Sequence, residues 1–421
     1  MFLDIKKAHF WAPARRRILV ELPDELGLSK DYVGLLHRSL YGTRDAPLNW
    51  EMAIRDVMVQ LGFQQGRSSP CLYYHPQRRV LCSVHGDDFM VLTGHKDAIW
   101  LRDHLAEAWT VETRGILAPP DSNLPDCVQQ LSVLNRLITW SDTGIELEAD
   151  PRHVELIVTD LGLKGSVPVT TPLLKAKASE EVDETPLSDQ DASRYRSIAM
   201  RIGYLASDRP DLLRSTRELA KGLQHPTCHH WSLLKRIGRY LSGHGRLVQK
   251  FNNQDKITEL TVWSDSDHAG CIRSRKSTSG TVIALGSSCI DARCKGQALI
   301  ALSSAEAEFY GLISSASHGL GEQSMLKDWG ICCPLVINMD ATSGIAIGSR
   351  RGLGRVKHID TSFLWIQDCV QEGKISLRKR STQEMWADLM TKASEGPRIK
   401  QLLDLMSFEF KSGSHPLALR V

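Results

Sequence analysis

The sequence predicts a multidomain protein of mixed structure, with α+β and α/β regions that follow one another along the chain. Its 421 residues are enough for two or three domains. Hydrophobic residues make up 42% and charged residues 24%, as in globular proteins. Strand-like runs alternate with helical patterns in the first and last parts of the chain, whereas the pattern between them is helical alone.

Several classes of protein are disfavoured by the composition. No apolar run approaches the roughly 20 residues of a membrane span, and the start, MFLDIKKAHF, has no signal-peptide pattern. The ten cysteines are scattered without a Cys-x-x-Cys pair. We therefore expect a reducing, intracellular location (cytoplasm, virus-like particle or nucleus), no contact with a membrane, and neither a disulfide scaffold nor structural zinc.

The first part of the chain alternates strands and helices around three acids. Residues 2–5 read as a strand that carries Asp4, and residues 18–22 read as a second strand. Pro47 suits the first turn of a helix that ends at Gly62. Two strand-like runs, 80–84 and 89–92, then flank His85-Gly86-Asp87-Asp88. Asp87 and Asp88 therefore belong to the turn of a hairpin, which by itself is an ordinary place for aspartate.

The middle of the chain reads as a linker followed by helices. Residues 169–187 are polar, with little apolar periodicity, and form the best candidate for a linker. Residues 188–243 have apolar positions at helical spacing, which Pro210 and Pro226 interrupt. Basic residues on these helices suit either contacts with nucleic-acid phosphates or a solvated face.

The last part of the chain delivers acids from separate elements. An apolar run ends at Asp265 and Asp267, and two further strands follow it. A helical pattern opens at Ser303 and carries Glu306 and Glu308 near its start. Two more acids complete the set: Asp340 ends another strand-like run, and Asp388 lies on a helix-like segment.

Four carboxylates at one point would hold two divalent ions. Such a pair stabilises both the attacking and the leaving oxygen of a phosphodiester, and Mg²⁺ suits sites made of oxygen ligands. The residues alone leave the choice open between Asp265 and Asp267, and between Glu306 and Glu308. They also leave open that these are separate surface acids, since exposed acids are the rule.

The order of these elements, with the motifs SDSDHAG, RKSTSG, LSSAEAEFYGL, MDATSGIAI, KHIDTSF and ADLMTK, resembles the ribonuclease H domain of copia-type retrotransposon polyproteins. The resemblance implies a mixed-sheet domain that hydrolyses RNA in RNA–DNA hybrids with two Mg²⁺ or Mn²⁺ ions. It gives the metal-binding, catalytic roles to Asp265, Glu308, Asp340 and Asp388, with Asp267 and Glu306 as alternatives.

The first part resembles the palm of a copia-type reverse transcriptase, through LDIKKAHF, LHRSLYGTRDAPLNW and VHGDDFMVLTG. The resemblance implies an antiparallel sheet with helices that binds primer-template and dNTP, and it makes Asp4, Asp87 and Asp88 the ligands of two metal ions. His85, Gly86 and Asp45 depart from the family pattern. The fingers that precede Asp4 in the family are absent, so we expect little or no polymerase activity from this chain.

The full prediction divides the chain into a palm with its following segment (1–168), a linker (169–187), a helical thumb or connection (188–256), a ribonuclease H-like domain (257–395) and a tail (396–421). We expect contacts with nucleic acid from Arg273, Arg275, Lys276, Arg355 and Lys357. Two alternatives stay open. The chain is an inactive remnant that still binds nucleic acid, or its upstream sequence was lost in gene modelling.

Overall fold

The computed structural model describes residues 1–175 and 182–413, which form two compact units of mixed α and β structure. One unit comprises Met1–Leu131 with Ser324–Cys332, and the other comprises Ser132–Gln323 with the described residues from Cys333 onward. The predicted fold class is therefore confirmed. The middle of the predicted linker, 176–181, and the end of the predicted tail, 414–421, lie outside the described residues.

The first unit is built on a seven-stranded sheet in the order β4-β5-β6-β7-β1-β8-β9, and a separate pair, β2 and β3, forms a two-stranded sheet. Its elements are β1 (Phe2–Ile5), β2 (Leu19–Glu21), β3 (Val33–Leu35), α1 (Ala46–Gln60), β4 (Gln64–Gln65), β5 (Leu72–His75), β6 (Val80–His85), β7 (Asp88–Leu92), α2 (His95–Ala108), β8 (Val111–Leu117) and β9 (Cys127–Val128).

Strand β1 lies inside this sheet, between β7 and β8, and buried residues alternate along it with half-buried ones. Leu3 and Ile5 are buried in the core of the unit with Trp50 and Phe89. The predicted hairpin of β6 and β7 is present, and its strands pair as far as His85 opposite Asp88. The turn is therefore only two residues long, and its first residue, Gly86, has a φ of 65° that favours glycine.

The second unit contains a helical core and a five-stranded sheet in the order β10-β11-β12-β13-β19. The helical core consists of four helices, α3 to α6, whose buried faces form one apolar cluster, as the apolar periodicity predicts. The elements are α3 (Pro151–Asp160), α4 (Asp189–Ala206), α5 (Pro210–Ala220) and α6 (Cys228–Gly243), with strands β10 (Gln130–Val133), β11 (Arg136–Ser141), β12 (Gly144–Glu148), β13 (Arg246–Asn252) and β19 (Phe408–Lys411).

The same unit holds a second five-stranded sheet in the order β16-β15-β14-β17-β18. Every residue of β14 is buried, as expected for a strand covered on both faces. The elements are β14 (Leu260–Ser266), β15 (Thr278–Leu285), β16 (Ser288–Gly296), α7 (Ser304–Asp328, which belongs to this unit up to Gln323), β17 (Leu335–Met339), α8 (Thr342–Ser349), α9 (Trp365–Gln371), β18 (Ile375–Lys379), α10 (Asp388–Thr391) and α11 (Gly396–Leu405). Among the described residues, no helix is both long enough and apolar enough to cross a lipid bilayer.

Candidate metal centre

Three acids converge at one edge of the second unit's mixed sheet. Strands β14 and β17 are parallel neighbours, paired up to Trp263 opposite Asn338. Two residues farther along each strand lie Asp265 and Asp340, so both acids reach the same edge of the sheet. Helix α7 adds Glu308. One ligand oxygen from each acid lies within 4.8 Å of the others, and within residues 1–175 and 182–413 this is the one group of three or more possible ligands found so close together.

The charged state of this group is electrostatically unfavourable. Asp265 is 2% exposed and Glu308 is 8% exposed. Burial raises the pKa of Glu308 to about 8, and the neighbouring charges of Asp265 and Asp340 add to the shift. Burial also raises the pKa of Asp265 to about 6, although the Lys392 ammonium and a hydrogen bond from Thr391 oppose the change. These carboxylates therefore favour either protons or a cation.

The donor set fits a divalent cation. The Oε2 atom of Glu308 is buried and has no hydrogen-bond partner among the described residues. An unpartnered buried carboxylate oxygen is costly, and coordination to a cation would satisfy it. Three carboxylates form the hard oxygen set that Mg²⁺ and Mn²⁺ prefer. Close packing fixes the position of Glu308, because a Cβ atom on Gly344 of α8 would lie 3.1 Å from the Glu308 Cβ.

Asp388 lies beside this group but is engaged by basic side chains. It is the first residue of α10 and is 4% exposed. Its Oδ1 atom pairs with the Lys392 ammonium, and its Oδ2 atom lies 3.1 Å from Arg398 Nη2. The Lys392 ammonium is also 3.8 Å from Asp265 Oδ2. A cation that recruited Asp388 would therefore have to replace Lys392 or Arg398 as its partner.

The two alternative acids hold neighbouring segments in place. Asp267 accepts a hydrogen bond from the Thr278 backbone N–H at 2.5 Å, which closes the segment between β14 and β15. Glu306 is 1% exposed, and its Oε2 atom accepts from the Leu302 N–H at 3.0 Å and lies 2.9 Å from His358 Nε2. Neither acid belongs to the group of three, so the geometry favours Asp265 and Glu308 as ligands.

The predicted nucleic-acid contacts lie on two exposed segments of the second unit. Arg273 and Arg275 are exposed and Lys276 is half-buried, in the segment between β14 and β15. Arg273 forms an ion pair with Glu184. Arg355 and Lys357 are exposed in the segment between α8 and α9. This segment is tied to α7 by the contact between His358 and Glu306.

The acids of the first unit lie on adjacent strands. Asp4 on β1 is directly opposite Asp88 on β7, and Asp87 is in the preceding turn. Burial raises the pKa of Asp88, and the charges of Asp87 and Asp4 add to the shift. Arg114 Nη2 lies 3.3 Å from Asp4 Oδ1 and partly balances this negative charge. The predicted ligands are thus neighbours in the sheet.

Trp50 supports the hairpin that carries Asp87 and Asp88. It is 2% exposed, and its indole N–H donates to the Gly86 carbonyl at 2.8 Å. We expect Trp50→Phe to lower the free energy of unfolding of this unit by about 1–2 kcal/mol, because Gly86 loses its donor and the smaller ring fills less of the core. Urea unfolding would measure this. Trp11→Phe is the control, because the Trp11 indole N–H donates to the Lys6 carbonyl in an exposed setting. An equal loss of unfolding free energy in both variants would contradict the prediction.

Several residues that shape the site were missed by the sequence analysis. Thr391 and Lys392 follow Asp388 at helical spacing within the motif ADLMTK, and that spacing could have indicated their contact. Arg398 and Arg214 come from other elements, and no local pattern in the sequence connects them with the acids.

Comparison with known proteins finds relatives among transposon polyproteins. No family model matches the chain. The Pol polyprotein of transposon TNT 1-94 from Nicotiana tabacum is 26% identical over 404 residues, which cover 93% of this chain and 29% of that protein. The Pol polyprotein of transposon RE2 from Arabidopsis thaliana is 28% identical over 378 residues, which cover 86% of this chain and 24% of that protein. The chain thus spans less than a third of the length of these relatives.

A solved structure shares the fold. It is the foamy viral protease-reverse transcriptase in complex with an RNA/DNA hybrid. The match covers 90% of this chain and 44% of the foamy viral chain, with a TM-score of 0.50 and 13% identity. At that identity the match concerns the fold alone. The sequence relatives agree with the motifs, and the chain is related to the Pol polyproteins of copia-type retrotransposons.

Proposed function

We propose that the second unit hydrolyses the RNA strand of RNA–DNA hybrids in a reaction that depends on Mg²⁺ or Mn²⁺, with two ions at the site. The observation that carries the proposal is the convergence of Asp265, Glu308 and Asp340 within 4.8 Å. The foamy viral protein of similar fold was solved with an RNA/DNA hybrid, which supports this class of substrate.

The chain's own residues would bind the cations and hold the substrate. When bound, the cations would activate a water molecule and stabilise both the attacking and the leaving oxygen of the phosphodiester. Asp265, Glu308 and Asp340 would hold them as ionised carboxylates, so Glu308 must lose its proton at neutral pH for a cation to bind. Asp388 is proposed as the fourth ligand, after exchange of its partner Lys392.

Basic residues on two segments of the second unit would hold the duplex. Arg273, Arg275, Lys276, Arg355 and Lys357 are proposed to contact phosphates, which carry no sequence information. Recognition of a hybrid would depend on its shape and on the 2′-hydroxyls of the RNA strand. Binding should therefore weaken steeply as the salt concentration rises.

The proposal is tested by incubating the purified chain with a hybrid labelled on its RNA strand, in Mg²⁺ or Mn²⁺ and in EDTA. We expect cleavage of the RNA strand with either metal, no cleavage in EDTA, and loss of cleavage in Asp340→Asn. Asp404→Asn changes an exposed acid on α11 and should keep the activity. Salt-dependent binding without cleavage by the folded wild-type chain would instead support the inactive remnant that binds nucleic acid.

A second candidate function is RNA-directed DNA synthesis by the first unit. It is supported by the register that places Asp4 opposite Asp88, next to Asp87. Carboxylates in this arrangement would hold cations that align a primer hydroxyl with the incoming dNTP. Extension of a labelled primer-template that is lost in Asp88→Asn would support this function, and no extension by the folded chain would count against it.

A further inference from the structure

We infer that Arg214 is a positioning residue for the metal centre: helix α5, which belongs to the helical core, uses it to hold the two segments that carry Asp265 and Asp388. The inference rests on the proposed metal-dependent function. It extends the site to a residue outside the mixed sheet and its motifs. Nothing in the sequence near Arg214 resembles a metal-binding pattern.

Arg214 contacts both segments with one guanidinium group. Its Nε donates to the Thr391 carbonyl at 3.3 Å, and its Nη2 lies 3.8 Å from Asp267 Oδ2. Its Nη1 pairs with Glu218 on the same helix. The side chain is only 14% exposed. A mostly buried guanidinium restrains the two partners that it hydrogen-bonds, Thr391 and Glu218, because a partner that moves leaves a donor unsatisfied. Its charge also attracts the Asp267 carboxylate across the longer contact.

Thr391 and Asp267, the two partners outside α5, are each connected directly to Asp265, one by a hydrogen bond and the other by the main chain. Thr391 is the last residue of α10, the helix that begins at Asp388, and its hydroxyl donates to Asp265 Oδ2. Asp267 lies two residues after Asp265 and accepts the Thr278 N–H, which fixes the backbone directly beyond the ligand. Arg214 therefore acts on Asp265 from two directions, through the Thr391 hydroxyl and through the main chain.

Close packing leaves α10 little room to shift on its other side. A Cβ atom on Gly280 of β15 would lie 2.8 Å from the Ala387 carbonyl oxygen, so only glycine allows α10 to approach the sheet this closely. The Cys294 thiol of β16 donates to the Met390 carbonyl at 3.0 Å. The same Cβ atom would lie 2.8 Å from Thr391 Cγ2, so Gly280 and Arg214 both contact the Thr391 end of α10, and Arg214 supplies the hydrogen bond to its carbonyl. Loss of the guanidinium should let the Thr391 backbone shift, and with it the hydroxyl that donates to Asp265.

The expected consequence is weaker cation binding. Residues that orient the ligands of a metal typically change its affinity 10- to 100-fold when they are replaced. Arg217 offers a matched control on the same helix. It is also 14% exposed and also pairs with Glu218, at 3.0 Å, but its guanidinium lies next to Gly296 of β16. Replacing either arginine therefore removes one partner of Glu218, and replacing Arg214 also removes the contacts with Thr391 and Asp267.

The test is a titration of the full chain with Mn²⁺, in which electron paramagnetic resonance measures the free ion. Wild type, Arg214→Met and Arg217→Met are compared, and the binding that remains in Glu308→Gln is subtracted as binding outside the centre. We expect Arg214→Met to weaken the affinity about tenfold and Arg217→Met to leave it within about twofold of wild type. A role in stability alone would lower the melting temperature without changing this affinity.

The outcomes separate this inference from the proposed function. Equal Mn²⁺ affinity in wild type and Arg214→Met would overturn the role of Arg214 and leave the metal centre standing. Wild-type binding no stronger than that of Glu308→Gln would overturn both. If Arg214→Met does not fold, Arg214→Lys keeps the charge but not the planar fork; we expect it to weaken the affinity by a smaller factor, and an unchanged affinity in that variant would overturn the inference.

Discussion

Glu308→Gln is expected to abolish cleavage of the hybrid and, at the same time, to raise the melting temperature of the metal-free protein. Both effects have one cause. Glu308 is 8% exposed and lies with Asp265 and Asp340 in one group of carboxylates. Glutamine keeps the shape but removes the charge, so it relieves the cost of burying that charge and the repulsion among the three acids. The same change removes a ligand that a cation needs, and the loss of activity should be on the order of 10³-fold.

The pH dependence of stability follows from the pKa of Glu308. Its value of about 8 in the folded protein lies above its ordinary value of 4.5. Between these two values the folded state binds more protons than the unfolded state, so the free energy of unfolding falls as the pH rises through this range. The full penalty, on the order of a few kcal/mol, is present above about pH 8 and absent below about pH 4.5.

The measurement is thermal unfolding in EDTA at a series of pH values. Wild type should lose stability between pH 6 and 8, and Glu308→Gln should lose less. Saturating Mg²⁺ should raise the melting temperature of wild type more at pH 8 than at pH 6, because cation binding requires ionised carboxylates. Asp404→Asn should behave as wild type throughout. A destabilised Glu308→Gln protein in EDTA would contradict the argument, since it would mean that the charge of Glu308 stabilises the metal-free fold.

Much of the candidate metal centre could be predicted from the sequence because its acids follow elements with clear periodicity. Asp265 and Asp340 end apolar runs, and the pairing of two buried parallel strands brings such ends to one edge. Glu308 lies in the first turns of a long helix. The choice between Glu306 and Glu308 needed the structure, because both are buried and helical spacing alone does not show which one faces the strand ends.

What the sequence could not predict are contacts between elements that are distant along the chain. Asp388 is a recognisable acid, but its pairing with Arg398 depends on where helix α11 packs. Strand β19 has only four residues and lies at the edge of the sheet, where it pairs with β13 through main-chain hydrogen bonds that hardly depend on side-chain pattern. The contact of Arg214 with Thr391 joins residues 177 positions apart.

The helical core that holds α5 contains a buried ion pair, and breaking it is expected to cause the largest loss of stability. Arg209 and Asp211 have side chains that are 1% and 0% exposed, and their nearest charged atoms are 2.7 Å apart. Asp211 Oδ2 also accepts from the Tyr240 hydroxyl at 2.8 Å. Arg209 donates in addition to the carbonyls of His244 and Gly245. The network thus connects the first turn of α5 to α6 and to the segment that follows it.

Asp211→Ala should lower the free energy of unfolding by about 3–5 kcal/mol, because it leaves the Arg209 charge buried without a counter-ion and the Tyr240 hydroxyl without an acceptor. Urea unfolding followed by the loss of helical circular dichroism would measure the change. The paired replacement Arg209→Met with Asp211→Leu removes both charges and should cost much less than Asp211→Ala, since a buried pair exchanged for apolar side chains is often near neutral. A similar loss in both proteins would show that packing, and not the unpaired charge, dominates.

Asp160→Asn provides the exposed comparison for this experiment. Asp160 pairs with Arg201 in the same unit, but its side chain is 42% exposed, and solvent-exposed pairs contribute about 0.2–1 kcal/mol. We expect its loss to be several times smaller than that of Asp211→Ala. Asp211 lies in the first turn of the helix that carries Arg214. Asp211→Ala should therefore also weaken Mn²⁺ binding under conditions in which the variant stays folded, whereas Asp160→Asn should not. Unchanged Mn²⁺ affinity in a folded Asp211→Ala protein would mean that the first turn of α5 can loosen without releasing Arg214 from Thr391.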